Sequence, residues 1–120
     1  MARKISDKGL ARKLTSIVAE KVWERDKGTC QWCGKTTGKL DVSHVIPKSR
    51  STFLRWDMNN LKLLCFNCHM NKWHGRSEGR AWFDKKYPDR AAYIDEHERD
   101  LVKKRKFMEE RLEELNETIH

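Results

Sequence analysis

Apolar residues recur at helical spacing near the start of the chain. The positions that share one helical face are Leu10, Leu14, Ile17, Val18, Val22 and Trp23, and this period is typical of an amphipathic helix. Gly28 follows the pattern and favours the end of a helix. We therefore predict an N-terminal helix over about residues 10–26, preceded by a polar, basic arm at residues 1–9.

The middle of the chain contains short runs of a different kind. Residues 39–47 are rich in β-branched and apolar residues and end at a proline, which predicts a strand. A polar and basic loop at residues 48–60 leads to the sequence NLKLLC at residues 60–65, which predicts a second short strand. Residues 66–75 predict a short helix that ends near Gly75.

The C-terminal third is helical in pattern, over about residues 77–118. It is interrupted at Tyr87-Pro88, because a residue that precedes proline avoids the α region. The segment that follows, about residues 89–117, carries an apolar stripe at Ile94, Leu101, Met108, Leu112 and Leu115. This stripe is compatible with a homodimer formed through the C-terminal helix, and also with packing back on the rest of the chain.

Strands flanked by helices predict a small α+β fold. The length of 120 residues fits one domain, residues 1–120. Hydrophobic residues make up 38% of the chain and charged residues 37%, so the core must be small. Domains of this kind commonly need a bound metal or disulfides to offset the entropy of ordering the chain.

Cysteine pairs offer such a stabilising site. Cys30/Cys33 and Cys65/Cys68 are both C-x-x-C pairs, and two such turns can supply the four thiolates of a tetrahedral structural zinc site. The chain has neither an apolar export segment nor a membrane-length apolar run, so we expect a cytoplasmic protein, in which paired cysteines usually bind metal. A redox dithiol and simply buried thiols are the alternatives.

The charge of the chain indicates a polyanionic partner. The formal net charge is +8, which is typical of proteins that bind nucleic acid, although ribosomal and membrane-surface proteins can be equally basic. Basic residues are dense around the predicted strands and short helix. The residues we expect to contact phosphates are Lys48, Arg50, Arg55, Lys62, Lys72 and Arg76.

The order of motifs in this region resembles a known family. LDVSHVIPKS at residues 40–49 is followed by NNLKLLCFNCHMNK at residues 59–72. This arrangement is similar to the HNH, or ββα-metal, endonucleases in their cysteine-bracketed form, over about residues 22–75. The resemblance implies a β-hairpin and a helix around a catalytic cation, with helices before and after. It also implies metal-dependent hydrolysis of DNA, by nicking or double-strand cutting, that leaves a 5′-phosphate and a 3′-hydroxyl.

The resemblance assigns roles to three residues. His44 matches the general base, Asn60 the central asparagine and His69 the metal-binding residue on the helix. Imidazole titrates near neutrality and can accept a proton from water, while a cation on the scissile phosphate stabilises developing charge. We expect Asn60 to bond to the backbone and fix the loop that aims His44. Asn59 could take that part instead, and His69 could belong to the zinc cluster.

One position departs from the family pattern. Ser43 stands where the family usually has Asp or His as a second metal ligand. Asp41 shares a strand face with Ser43, about 6.6 Å away, and could substitute for it. His74 is a further candidate, but five residues on an α-helix rotate it about 140° from His69, so the helix would have to end near Trp73. A site with only a few protein ligands leaves several positions for water, and this favours Mg²⁺ or Mn²⁺ as the catalytic ion.

A second, shorter segment of the chain resembles another nuclease family. TFLRWDMNN at residues 52–60, followed by a helical tail, is similar to the phage NinG-like recombination nucleases. This suggests a bacterial or phage-encoded protein, with a phage protein as a possible partner.

The alternatives to an autonomous nuclease are a non-catalytic zinc module that binds nucleic acid, and a recombination or packaging nuclease directed by a phage partner.

Overall fold

The computed structural model describes residues 4–117. Residues 1–3 of the predicted basic arm and residues 118–120 at the end of the predicted C-terminal extension lie outside the described residues. The helices and strands are α1 Asp7–Arg25, β1 Leu40–His44, α2 Thr52–Arg55, β2 Leu61–Cys65, α3 Ser77–Lys86, α4 Pro88–His97 and α5 Lys104–Glu117. A 3₁₀ turn at Met58–Asn60 precedes β2, and a π-helix at Cys68–Trp73 follows it.

Helix α1 begins three residues before the predicted start. The Ser6 side chain accepts a hydrogen bond from the Gly9 amide at 3.0 Å, which caps the helix N-terminus. The helix ends before Lys27 and Gly28, both with positive φ, and the Gly28 amide donates to the Trp23 carbonyl. The buried face carries Leu10, Leu14, Val18 and Val22, as the periodicity predicts, whereas Trp23 is 41% exposed.

Strands β1 and β2 form a two-stranded antiparallel sheet. The register runs from Leu40 opposite Cys65 to His44 opposite Leu61, without a bulge. Side chains of a strand alternate between its two faces. One face packs through Leu61 and Leu63 against α1, and the other packs through Leu64 against the π-helix and the cysteines. Every residue of β2 is therefore buried.

The C-terminal segment is two helices rather than the continuous pattern predicted from Asp89. Residues 98–103 are not helical, and Leu101, which the predicted stripe included, is 97% exposed. Met108 and Leu115 on α5 are buried in the same cluster as Leu10 and Leu14 of α1. Because these apolar residues pack within the chain, a homodimer through the C-terminal helix is not supported.

Helix α3 and the residue that follows it pack against the turn between Cys30 and Cys33. Trp82 of α3 stacks on Trp32, with ring centroids 4.3 Å apart. The Tyr87 hydroxyl donates to Gln31 Oε1 at 2.8 Å, and Lys86 Nζ donates to the Gln31 carbonyl. The helices that follow the short π-helix are thereby held against residues 30–33.

The predicted α+β class is confirmed, with the small sheet covered by helices on both faces. The interruption predicted at Tyr87-Pro88 is also found, because α3 ends at Lys86 and α4 begins at Pro88. None of the helices within residues 4–117 is long and apolar enough to cross a membrane.

We predict that Met108→Ala lowers the free energy of unfolding by about 2–5 kcal/mol, because it leaves a cavity between α5 and α1. Urea denaturation followed by circular dichroism measures this change. Leu101→Ala is the control, and it should change stability by less than about 0.5 kcal/mol because Leu101 is exposed. Equal effects of the two substitutions would contradict the packing of α5 on α1.

Candidate metal centre and catalytic cleft

The four cysteines converge on one point. The Sγ atoms of Cys30, Cys33, Cys65 and Cys68 all lie within 4.8 Å of one another. Cys33 Sγ and Cys65 Sγ are 3.7 Å apart, too far for a disulfide. Gly34, with a φ of 82°, allows the tight turn of the first pair, in which the Gly34 amide donates to the Cys30 carbonyl at 2.9 Å. This cluster could hold one structural metal ion, and four thiolates suit zinc.

The electrostatics of the cluster favour a thiolate at Cys30. Burial raises the pKa of Cys30, but hydrogen bonds from the backbone of Cys33, Cys65 and Trp32 outweigh burial and lower that pKa to about 6. Burial and the neighbouring thiols raise the pKa of Cys68. A thiolate is the form that binds metal, so one ligand is already favoured in its binding form.

His44 stands at the end of β1 with one ring nitrogen anchored. Its Nε2 lies 3.0 Å from the Arg55 carbonyl oxygen. Because a carbonyl only accepts, Nε2 carries the hydrogen and Nδ1 has the free lone pair. Burial lowers the pKa of His44, and the charges of Lys62, Lys48 and Arg55 lower it further. His44 is therefore neutral near pH 7 and able to accept a proton.

Asn60 ties the segment after His44 to the start of β2. Its Oδ1 accepts from the Ile46 amide at 2.8 Å, and its Nδ2 donates to the carbonyls of Ile46 and Leu54, each at 3.0 Å. The Val45 amide donates to the Asn60 carbonyl at 2.8 Å. Asn60 is fully buried, whereas Asn59 is partly exposed. The geometry therefore gives the loop-fixing contacts to Asn60 rather than Asn59.

The π-helix brings His69 and His74 together. The His74 amide donates to the His69 carbonyl at 3.0 Å, an i→i+5 bond, and the two rings lie 4.5 Å apart. The helix ends at Trp73, as this contact requires. An α-helix would separate the two side chains by about 140°, so the wider turn is the physical reason that they meet. Such π-type turns occur frequently at functional sites.

Asp41 completes this group. Its Oδ2 lies 3.6 Å from His69 Nδ1, although the strand has no bulge. His69 Nδ1 is buried and has no hydrogen-bond partner among the described residues. Burial, followed by the nearby His74, lowers the pKa of His69, which favours the neutral, ligating form. An unsatisfied imidazole nitrogen beside a carboxylate and a second imidazole has the chemistry of a divalent-cation site. Among the described residues, however, only the four cysteines already bring three or more ligand atoms close enough to share one ion.

Ser43 and Lys62 form a buried pair at the position where the sequence departs from the HNH pattern. Lys62 Nζ donates to Ser43 Oγ at 2.8 Å and lies 3.3 Å from the centroid of the Trp73 ring. Both side chains are buried, Lys62 completely. The prediction that Lys62 contacts nucleic acid is therefore wrong, because its strand position opposite Ser43 points it into the fold.

A cleft of about 740 Å³ contains the candidate residues His44, His69 and His74. Of the basic residues predicted to contact phosphates, Lys48, Arg50 and Arg76 line this cleft. Arg55 instead lines a smaller pocket on the α1 side of His44.

Lys72, which was also predicted to contact phosphates, does not line this cleft, whereas Arg80, which was not predicted, does. Lys72 Nζ lies 5.5 Å from the Trp32 ring centroid, beside the first cysteine pair. Arg80 also lines the cleft and was missed, because it lies beyond the family motifs. It donates to Asp84 at 2.6 Å and to Asp95 at 2.8 Å. Only its i,i+4 spacing from Asp84 was visible in the sequence, and that spacing does not indicate the cleft.

Comparison with known proteins identifies one family. Residues 30–75 match the family model described as HNH endonuclease, which is less than half of the chain. No curated protein and no solved structure matches the chain. The resemblance expected from the sequence is thus confirmed for this segment, and the hairpin, helix and cysteine cluster are consistent with a ββα-metal core. The match supports a nuclease-type function, and nothing in it supports a phage origin or a phage partner.

We predict that Asn60→Ala lowers the free energy of unfolding by at least about 1–3 kcal/mol, because it leaves buried backbone groups of Ile46 and Leu54 unsatisfied. Chemical denaturation measures the loss. Asn59→Ala provides the matched comparison and should change stability by less than about 0.5 kcal/mol. A larger loss of stability for Asn59→Ala than for Asn60→Ala would show that Asn59, and not Asn60, fixes the loop.

Proposed function

We propose that this chain is a metal-dependent DNA endonuclease that hydrolyses phosphodiester bonds with His44 as general base. The observation that carries the proposal is the orientation of His44. Its Nε2 is held by the Arg55 carbonyl, which leaves Nδ1 free, and the same residue lines the cleft that contains His69 and His74. A fixed, neutral imidazole beside a candidate cation site fits the chemistry of the HNH family, which residues 30–75 match.

His44 accepts the proton of the attacking water. Burial lowers its pKa, so at neutral pH the imidazole is in the basic form. The hydrogen bond to Arg55 keeps Nδ1 as the accepting atom and stabilises the imidazolium that forms when the proton is transferred. Asn60 acts at a distance, because its bonds to Ile46 and Leu54 fix the backbone on both sides of the loop.

Asp41, His69 and His74 would hold the catalytic cation, Mg²⁺ or Mn²⁺. When bound, such an ion supplies Lewis-acid stabilisation of the charge that develops on the phosphate and on the leaving oxygen. One carboxylate and two imidazoles leave several positions for water, which suits ions that retain part of their hydration shell. The Nδ1 atom of His69, on the π-helix, faces Asp41 of β1 and lies 3.6 Å from its Oδ2.

The substrate would lie along the basic rim of the cleft. Lys48, Arg50 and Arg76 are exposed and carry positive charge at its edge, where they can neutralise phosphates without reading sequence. Arg80 adds a guanidinium that two carboxylates hold in place. DNA is the substrate that the family match implies.

The four cysteines would bind a structural zinc ion. Four thiolates fill a tetrahedral site and leave no open position for chemistry. Cys65 ends β2 and Cys68 begins the π-helix, so the ion would fix the angle between the strand and the helix that carries His69. Its function would be to hold the cleft together rather than to act on substrate.

A second candidate function is a zinc-containing module that binds nucleic acid without cutting it. The buried pair of Ser43 and Lys62 favours this alternative, because neither side chain is a good cation ligand. The unsatisfied His69 Nδ1 beside Asp41 favours the nuclease.

We predict that the zinc-loaded chain converts supercoiled plasmid to open-circle or linear DNA with Mg²⁺ or Mn²⁺ and not with EDTA. His44→Ala should lower the rate by about 10²–10⁴-fold, the usual contribution of a general base. His97→Ala is the matched control, because His97 lies on α4 and stacks on Phe53 rather than lining the cleft. Gel electrophoresis over time measures the rates.

Two results would count against the proposal. If His44→Ala cuts as fast as the wild type, the activity comes from another residue or from a contaminant. If the wild type binds DNA but never cuts it with either metal, the non-catalytic module is the correct function.

We also predict one zinc ion per chain, measured by atomic emission on protein purified without added metal. A strong chelator should remove it and cause loss of helical circular dichroism and a change in tryptophan fluorescence, because the stack of Trp32 on Trp82 depends on the first cysteine pair. Adding zinc should restore both signals. A chain that keeps its fold and both signals without zinc would show that the thiols are merely buried.

A further inference from the structure

Lys62 is the only lysine that the structure buries within residues 4–117. Its Nζ contacts Ser43 Oγ at 2.8 Å, the His44 carbonyl at 3.5 Å and the face of Trp73 at 3.3 Å from the ring centroid. None of the described carboxylates forms an ion pair with it. Burial, followed by the charge of Arg90, lowers the pKa of Lys62 well below its ordinary value. An unpaired buried cation is costly, and the groups that stabilise the ammonium form against this cost are the Ser43 hydroxyl oxygen, the His44 carbonyl oxygen and the face of the Trp73 ring.

The ammonium lies between the base and the candidate cation ligands. Ser43 and the His44 carbonyl belong to the strand that carries the base. Trp73 belongs to the π-helix that carries His69 and is followed by His74.

At Ser43, where the family usually has a metal-binding Asp or His, this chain places the ammonium group of Lys62. The candidate cation site has one carboxylate, Asp41, beside His69. Lys62 lies against Ser43 and Trp73, which both line the cleft, and Lys48 and Arg76 stand at its rim, where Arg76 pairs with Glu78 at 3.6 Å. A divalent cation entering the empty cleft is therefore repelled by fixed positive charge, most strongly by the buried one, which water screens least. A phosphodiester in the cleft brings the negative charge that offsets this repulsion.

We propose that Lys62 is a positioning residue that keeps divalent-cation affinity low until a DNA phosphate occupies the cleft. This proposal rests on the proposed function. Binding of the cation and of DNA is then coupled, and by thermodynamic linkage each raises the affinity for the other by the same factor. The free chain carries little catalytic metal at cation concentrations that load the DNA complex.

Binding of Mn²⁺ to the zinc-loaded full chain tests the proposal. Electron paramagnetic resonance of free Mn²⁺ gives the dissociation constant with and without a short duplex DNA. All variants are made in a His44→Ala background to prevent cutting. Without DNA, Lys62→Met should tighten Mn²⁺ binding by on the order of tenfold, because it removes the buried charge and retains an unbranched side chain against Trp73. The increase in affinity caused by DNA should become smaller.

Two controls separate charge from structure. Lys39→Met removes the same charge from an exposed residue just before β1, beside Phe66, and should leave Mn²⁺ affinity unchanged. Lys62→Arg keeps the charge and should bind Mn²⁺ as weakly as the reference chain. Zinc content and circular dichroism verify that each variant is folded.

If Lys62→Met does not fold, Lys62→Gln replaces it as the test. Its neutral amide removes the same charge and can still donate to Ser43 Oγ, so it should also tighten Mn²⁺ binding without DNA. Unchanged Mn²⁺ affinity in the folded variant, or a reference chain whose Mn²⁺ affinity is the same with and without bound DNA, would overturn the proposal. These measurements do not use cleavage, so a chain that shows the coupling but never cuts would refute the proposed nuclease and leave the role of Lys62 intact.

Discussion

The antiparallel register of β1 and β2 is the constraint on which the other features depend. It sets Ser43 opposite Lys62 and His44 opposite Leu61, and so decides which side chains face α1 and which face the π-helix. Asn60 holds one end of the hairpin, and Cys65, within the cysteine cluster, holds the other. A shift of β1 by one residue would turn Asp41 away from His69, and a shift of β2 by one residue would instead bring Lys62 to the opposite face.

Much of the remaining chain serves to support this small sheet. The buried residues form three clusters rather than one core: against α1 and α5, against α3 and α4, and around the cysteines. Residues outside the family-matched segment connect them. The stack of Trp82 on Trp32 joins the C-terminal helices to the first cysteine pair, and Arg80 of α3 reaches the cleft from a helix that the match does not include.

The sequence predicts the parts of this fold that depend on local pattern and not those that depend on tertiary context. The two C-x-x-C pairs, both strands and the break at Pro88 follow from spacing and residue type. The burial of Lys62 was not predictable, because lysine is normally a surface residue and only its strand partner turns it inward. The break near Leu101 was missed because the apolar seven-residue spacing from Ile94 to Met108 continues across it.

The π-helix allows the chain to carry an additional residue without separating two imidazoles. His69 and His74 are five residues apart and in ring contact, a separation that brings side chains together on this helix type but not on an α-helix. Removal of one of the exposed residues Met70 or Asn71 would leave the pair four residues apart, which is the neighbouring spacing on an α-helix. A deletion in this helix is therefore compatible with adjacent imidazoles if the helix returns to the α pattern. A deletion within β1 or β2 would instead reverse the alternation of the side chains that follow it.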